Sequence, residues 1–278
     1  MYKFGVLPYL NAAPLVYFLP EACSYPDLIY CKPREMFSVL ASRRVDAAIV
    51  PVVDYLDTPG LEMVDGLGIC ADGNVESVLL QCKCPLEQVK IVNLDPASKT
   101  SNLLVKVLLK KHFCVRQEIH FRIGATEADA CVVIGDRALR PEPALISYDL
   151  AGEWKSMTSL PFVFAVWAYW NDRQDSRRLS YILHAAKDAG CKAIAELAKL
   201  YAQRIGLTEA FCRHYLTSCI QYDLGSAEKS SIKLFRELSG SLKKIQKQNI
   251  REEPLKIRRI VQNEHKSRTI EPILTRLR

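Results

Sequence analysis

No stretch of the 278-residue chain is apolar for long enough to cross a bilayer. The N-terminus also lacks the basic start, long apolar core and small-residue cleavage site of a secretory signal, so a cytoplasmic protein is expected. Zinc-like spacing is missing among the ten cysteines: there is no CxxC pair, and Cys82-Lys83-Cys84 is too tight. They read as reduced, small apolar residues. The five histidines (His112, His120, His184, His214, His265) are dispersed without ligand spacing, so no metal and no cofactor is expected. There is no internal repeat. Surplus charge is missing from the body of the chain. The net charge is +7, but residues 241–278 alone hold eleven Lys or Arg against four Glu, and residues 1–240 balance at 27 against 27. A basic tail does not make the body a nucleic-acid binder.

What is present is an ordinary soluble composition, 49% apolar and 25% charged, with length for two modest domains. The first fourteen residues set the pattern. Tyr2, Phe4, Val6 and Leu7 form a strand that stops at a bend, Tyr9-Leu10-Asn11, before a helix that Pro14 opens and Pro20 ends. A strand running into a helix N-terminus offers free N–H groups and partial positive charge to an anion. A buried corner with Asn11 bonding its own backbone is the plainer reading. Strand Asp27–Cys31, a helix from Pro33, and strand Val45–Pro51 follow. This βαβαβ order predicts a parallel sheet, with ligands beyond the carboxyl ends of the strands. Those ends carry Asn11 and the Pro51-Val52 corner.

Gly73-Asn74 marks a turn before strand Val78–Cys82, which Ser77 opens. Strand Lys90–Leu94 runs through Asp95-Pro96-Ala97-Ser98-Lys99-Thr100-Ser101 into a helix. One hydroxyl suffices for an N-cap, and Ser98, Thr100 and Ser101 supply three, a second candidate anion cradle. Strand Ala130–Ile134 breaks at Gly135-Asp136, where Gly135 allows a close backbone approach and Asp136 caps the next turn. Leu160–Ala168 is apolar throughout, a strand buried on both faces, one of whose aromatics is free to floor a pocket. Helices are expected near 175–189, 191–205, 208–218 and 226–238.

In this order, Tyr9-Leu10-Asn11-Ala12-Ala13-Pro14-Leu15, Asp46-Ala47-Ala48-Ile49-Val50-Pro51, Gly73-Asn74-Val75-Glu76-Ser77-Val78, Leu94-Asp95-Pro96-Ala97-Ser98-Lys99-Thr100-Ser101, Val133-Ile134-Gly135-Asp136-Arg137-Ala138-Leu139 and Leu160-Pro161-Phe162-Val163-Phe164-Ala165-Val166-Trp167 resemble the chorismate dehydratase family of the futalosine route to menaquinone. Tyr222-Asp223-Leu224-Gly225 resembles its C-terminal block, so the likeness spans about residues 3 to 238. It implies an α/β fold of two lobes similar to the type II periplasmic binding proteins, with a ligand cleft between them. The expected division is residues 1–80 plus 168–240 for lobe one, 81–167 for lobe two and 241–278 as a basic C-terminal extension, with crossings near Ser77–Gln81 and Val166–Ala168.

The resemblance also implies a substrate, chorismate, and a lyase reaction giving 3-[(1-carboxyvinyl)oxy]benzoate and water without a cofactor. By motif, Asn11 and Ser77 become the catalytic pair around the ring and its leaving hydroxyl. Ser98, Thr100 and Ser101 become the carboxylate turn. Gly135 and Asp136 form the opposite wall, and Asn74 and Val75 are further contacts. The blocks hold no His and no unpaired base, and Asp46 faces away, so the substrate's own enolpyruvyl carboxylate is the expected proton acceptor. Three positions depart from the family pattern: Ser159 for Gly, Lys99 for Arg, and Asn74 for a common Pro. A non-catalytic small-carboxylate sensor on the same fold, and a sister enzyme acting on cyclic dehypoxanthine futalosine, are the rival readings.

Overall fold

Why the chain builds two sheets follows from its strand order. The computed structural model describes residues 1–252 apart from Tyr25 and Pro141, with side chains to residue 242. The first half runs β1 (Lys3–Val6), a 3-10 turn (Leu10–Ala12), α1 (Ala13–Val16), α2 (Leu19–Ala22), β2 (Asp27–Tyr30), α3 (Pro33–Ala41), β3 (Ala47–Pro51), α4 (Val52–Asp57), β4 (Leu61–Ala71), β5 (Val78–Cys82), β6 (Ile91–Leu94) and α5 (Lys99–Lys111). The second half continues β7 (His120–Ile123), β8 (Ala130–Ile134), a 3-10 turn (Gly135–Arg137), β9 (Ile146–Asp149), α6 (Leu150–Thr158), β10 (Phe162–Trp170), α7 (Ser176–Lys192), α8 (Ile194–Ile205), α9 (Glu209–His214), a π turn (Tyr215–Cys219), β11 (Gln221–Asp223) and α10 (Ser226–Glu252).

One sheet has the order β11-β4-β10-β3-β1-β2, the other β7-β6-β8-β5-β9. The βαβαβ start forms parallel pairs, β1 with β2 and with β3. The expected parallel sheet is nonetheless mixed: β10 lies antiparallel between β3 and β4, because it enters from the far sheet. Within the second sheet, β6 is parallel to β7 and β8, and β5 antiparallel to β8 and β9. Residues 1–239 pack as one compact unit. The basic extension from 253 onward lies outside the described residues.

The sequence misplaces the crossings by a few residues. All of β5 pairs in the second sheet, and all of β10, to Trp170, pairs in the first. The chain therefore passes between sheets at 72–77 and at 150–161, not near Ser77–Gln81 and Val166–Ala168. A buried strand is apolar in either sheet, so hydropathy does not say which sheet it joins. Pro20 is a second correction: it sits in the first turn of α2 rather than ending a helix. There its missing N–H would have had no partner in any case.

Aromatic packing fixes the second passage. Trp154 on α6, Phe162 on β10 and Phe235 on α10 meet edge to face, with centroids 5.1–5.8 Å apart. The Trp154 indole N–H donates to Ser231 Oγ at 3.0 Å, so the buried ring keeps its polar handle satisfied. Ser159 ends α6 at φ 61°, in the left-handed region. This is why Gly is the natural residue there, and Ser carries a cost of roughly 1–2 kcal/mol.

Asp149 fastens both passages at once. Its Oδ2 accepts the Val75 and Glu76 backbone N–H groups at 2.9 and 2.6 Å, and its Oδ1 accepts those of Ala151 and Gly152 at 3.0 Å each. An Asn here has one acceptor oxygen and turns an NH2 toward two donors. Asp149→Asn is expected to destabilise the fold by about 2–4 kcal/mol, read as a lower urea midpoint at constant m-value.

Candidate active site

A cleft lined from both sides opens between the two sheets. It lies beyond the carboxyl ends of β1, β3 and β8, where ligands of α/β sheets are found. Leu7, Ile49, Ile69, Phe164 and Ala165 give it an apolar floor from the first sheet. Phe164 and Ala165 are consecutive, yet both line it. The β4–β10 register shifts between Val163 and Ala165, so Phe164 is the extra residue of a bulge, a device that re-aims side chains beside sites.

The polar lining is Tyr9, Asn11, Ser77, Ser98, Thr100 and Ser101. Six of the nine residues expected from the sequence thus line one cleft: Asn11, Ser77, Ser98, Thr100, Ser101 and Gly135. The other three are elsewhere. Asp136 sits in the 3-10 turn and accepts the Leu10 N–H at 3.2 Å, so it ties the two walls together rather than capping the next turn. Burial pushes its carboxyl upward. Asn74 packs its carboxamide on Gly152, where any side chain would collide with it. Val75 is 1% exposed and gives its N–H to Asp149. These three act one step behind the cleft: Asn74 and Val75 serve the first passage between sheets, and Asp136 holds the turn at Leu10.

Asn11 stands in the 3-10 turn after β1. Its Oδ1 is buried with no hydrogen-bond partner among the described residues, a costly state that a ligand donor relieves. Ser98 is the N-cap of α5: its Oγ accepts the Ser101 N–H at 3.1 Å and donates to Ser101 Oγ at 2.9 Å. Thr100 Oγ1 accepts the Val53 N–H across the cleft at 3.5 Å. The N-terminus of this thirteen-residue helix therefore faces the cleft with hydroxyls and partial positive charge. Lys99 does not add its charge there. Its ammonium pairs with buried Asp54 on α4 at 2.7 Å.

Among the described residues, the cleft lining contains no Lys, Arg, His, Asp or Glu. Tyr9 is its one titratable side chain. Burial, with Asp95 and Asp136 nearby, moves the Tyr9 hydroxyl above its ordinary value, which leaves it protonated at neutral pH. Its ring stands 3.6 Å from the position a Gly135 side chain would take. At φ +67°, this glycine meets both the backbone and the contact requirement.

Tyr215 is the residue that sequence reasoning missed. It is buried on the π turn, and its O–H donates to Ser77 Oγ at 2.7 Å. Burial drives its hydroxyl far above the ordinary range, so it stays a donor. Ser77 Oγ accepts there and keeps its own proton for the cleft. The signal was faint because Tyr215 lies 138 residues from Ser77 and outside the matching blocks. Tyr215→Phe is expected to cost about 1–2 kcal/mol, and a double-mutant cycle with Ser77→Ala should show that the two changes are not additive.

Comparison with known proteins bears on what the cleft does. A family model described as menaquinone biosynthesis matches residues 2–240. A chorismate dehydratase from Thermus thermophilus is 30% identical over 262 residues, covering 86% of this chain and 95% of that protein. One from Campylobacter jejuni is 29% identical, covering 84% and 95%. Among solved structures, a protein from Archaeoglobus fulgidus superposes with a TM-score of 0.69 at 14% identity, covering 86% of this chain and 97% of its own. The alkanesulfonate-binding protein of Xanthomonas axonopodis pv. citri gives 0.59 at 13%, covering 88% and 93%. These two share the fold, which is the two-lobed periplasmic-binding-protein type.

Proposed function

We propose a reaction for a chain that belongs to the menaquinone biosynthesis family: it is a chorismate dehydratase, a hydro-lyase, as its relatives are. Chorismate loses the proton on ring carbon 3 and the hydroxyl on carbon 4. The C–H electron pair becomes the new ring double bond, the C4–O bond breaks, and water leaves with an aromatic product, 3-[(1-carboxyvinyl)oxy]benzoate. Aromatisation makes the elimination strongly downhill, so the protein's task is to orient and to steer protons.

The observation that carries the mechanism is the lining: hydroxyls, an amide and a helix N-terminus, with no ionised side chain. We assign Ser98, Thr100, Ser101 and the start of α5 to a substrate carboxylate, which neutral donors hold without a counter-cation. Asn11 Oδ1 takes a hydrogen bond from the substrate. Ser77, its oxygen already engaged by Tyr215, aims its proton at the departing oxygen. With no protein base in the lining, the enolpyruvyl carboxylate of the substrate accepts the ring proton, since it is tethered beside it.

Purified full-length protein mixed with chorismate should yield the aromatic acid, followed by proton NMR. Binding without turnover would instead mean a small-carboxylate sensor. Asn11→Ala should keep its fold and lose about 10²-fold in kcat; unchanged turnover would remove Asn11 from the mechanism. The pH profile is a further check. Here kcat should stay flat from about pH 6 to 9, because Tyr9 and Tyr215 both titrate above their ordinary value of 10.0. A histidine base would impose a limb within that range.

A further inference from the structure

Glu76, His214 and Cys219 bring one carboxylate oxygen, one imidazole nitrogen and one sulfur within 4.8 Å of one another. We propose that these three side chains form a site for a soft divalent cation of the zinc class, just behind Ser77 and outside the cleft lining.

The geometry is convergent. A single atom, His214 Nε2, stands 3.8 Å from Glu76 Oε1 and 3.8 Å from Cys219 Sγ. At 3.8 Å, the nitrogen–oxygen contact is too long for a good hydrogen bond, and one ring N–H cannot serve both neighbours. Two donors around a tetrahedral zinc stand roughly 3.5 Å apart, given bonds of about 2.0–2.3 Å. The two pairs that His214 makes therefore need to close by only a few tenths of an ångström around a central cation, and the Glu76 oxygen and Cys219 sulfur already lie within 4.8 Å of each other. Thiolate and imidazole select zinc-like metals over magnesium or calcium, and three protein ligands leave a fourth position for water.

The backbone supplies a second, independent reason. His214 and Cys219 are five residues apart, which on an α-helix puts them about 140° from each other. The chain departs from α geometry here. Tyr215–Cys219 is a π turn, closed by the Ile220 N–H to the Tyr215 carbonyl at 3.2 Å. The wider turn swings residue i+5 back over residue i, and π turns concentrate at functional sites. Glu76 is held toward them at φ 60°, a left-handed conformation uncommon for a non-glycine residue, with its N–H fixed by Asp149. The His214-x4-Cys219 spacing carries no ligand signature in sequence because it becomes a ligand pair only on this turn.

Binding is written as Cys219–SH plus M²⁺ giving Cys219–S–M⁺ plus a proton, with no change of oxidation state. The consequence reaches Ser77, which follows Glu76 in the chain and is held by Tyr215, the residue next to His214. A bound cation thus links the first passage between sheets to the end of α9.

The test uses the full-length chain stripped with a chelator and dialysed against zinc, then against cobalt. Wild-type protein should bind one equivalent that Cys219→Ser and His214→Gln each lose, with both variants keeping the wild-type melting temperature in chelator. Cobalt should give a thiolate-to-metal charge-transfer band that Cys219→Ser abolishes. Equal zinc stoichiometry in wild type and both variants, with the band retained, would mean that other thiols hold the metal and would overturn the proposal. So would no binding at all. Neither readout depends on turnover of chorismate, so failure here leaves the reaction untouched.

Discussion

Everything around the cleft depends on one half-buried carboxylate. The chain crosses between its two sheets twice, and Asp149 receives two backbone N–H groups from each crossing. Burying an ionised carboxylate is costly, and several well-aligned donors are what make it tolerable. Because both passages share this group, Ser77 is placed by the same hydrogen bonds that start α6. The Trp154–Phe162–Phe235 cluster then fixes where α6 hands the chain back to the first sheet. Position in the site is thus set by the crossings more than by either sheet alone.

This explains which parts were legible in the sequence. Strands such as Ala47–Pro51 and Val78–Cys82 are short apolar runs closed by turn residues, and their existence could be read directly. The hydroxyl turn at Ser98 could also be read, since a cap needs one hydroxyl and three are present. The exact passage points could not, because β5 and β10 are equally apolar whichever sheet they join. Asp136, Asn74 and Val75 belong to recognisable blocks, yet each spends its polar groups or packing on the scaffold. A motif shows that a stretch matters without showing which of its atoms face the ligand. Tyr215 and the Glu76–His214–Cys219 trio needed the fold, since a π turn has no periodicity in hydropathy and the contacts span more than a hundred residues.

The absence of ionised groups in the cleft lining is a choice about where binding energy is used. A fixed lysine or arginine beside a dicarboxylate attracts substrate and transition state alike, and uniform binding does not raise kcat. A hydroxyl donor aimed at the C4 oxygen behaves differently, because that oxygen gains negative charge only as its bond breaks. In the mechanism proposed above, Ser77 takes this part. With Tyr215 donating to it, its oxygen is polarised and its proton is left for the cleft. The same logic accounts for Lys99 being drawn aside by Asp54. That charge is taken up by Asp54, which leaves the hydroxyl turn at the start of α5 to neutral donors. In the proposed mechanism such donors release an aromatic product that still carries two carboxylates more readily than a cation would. An elimination driven by aromatisation needs little help in forming its product, so weak, well-oriented contacts serve turnover better than strong ones.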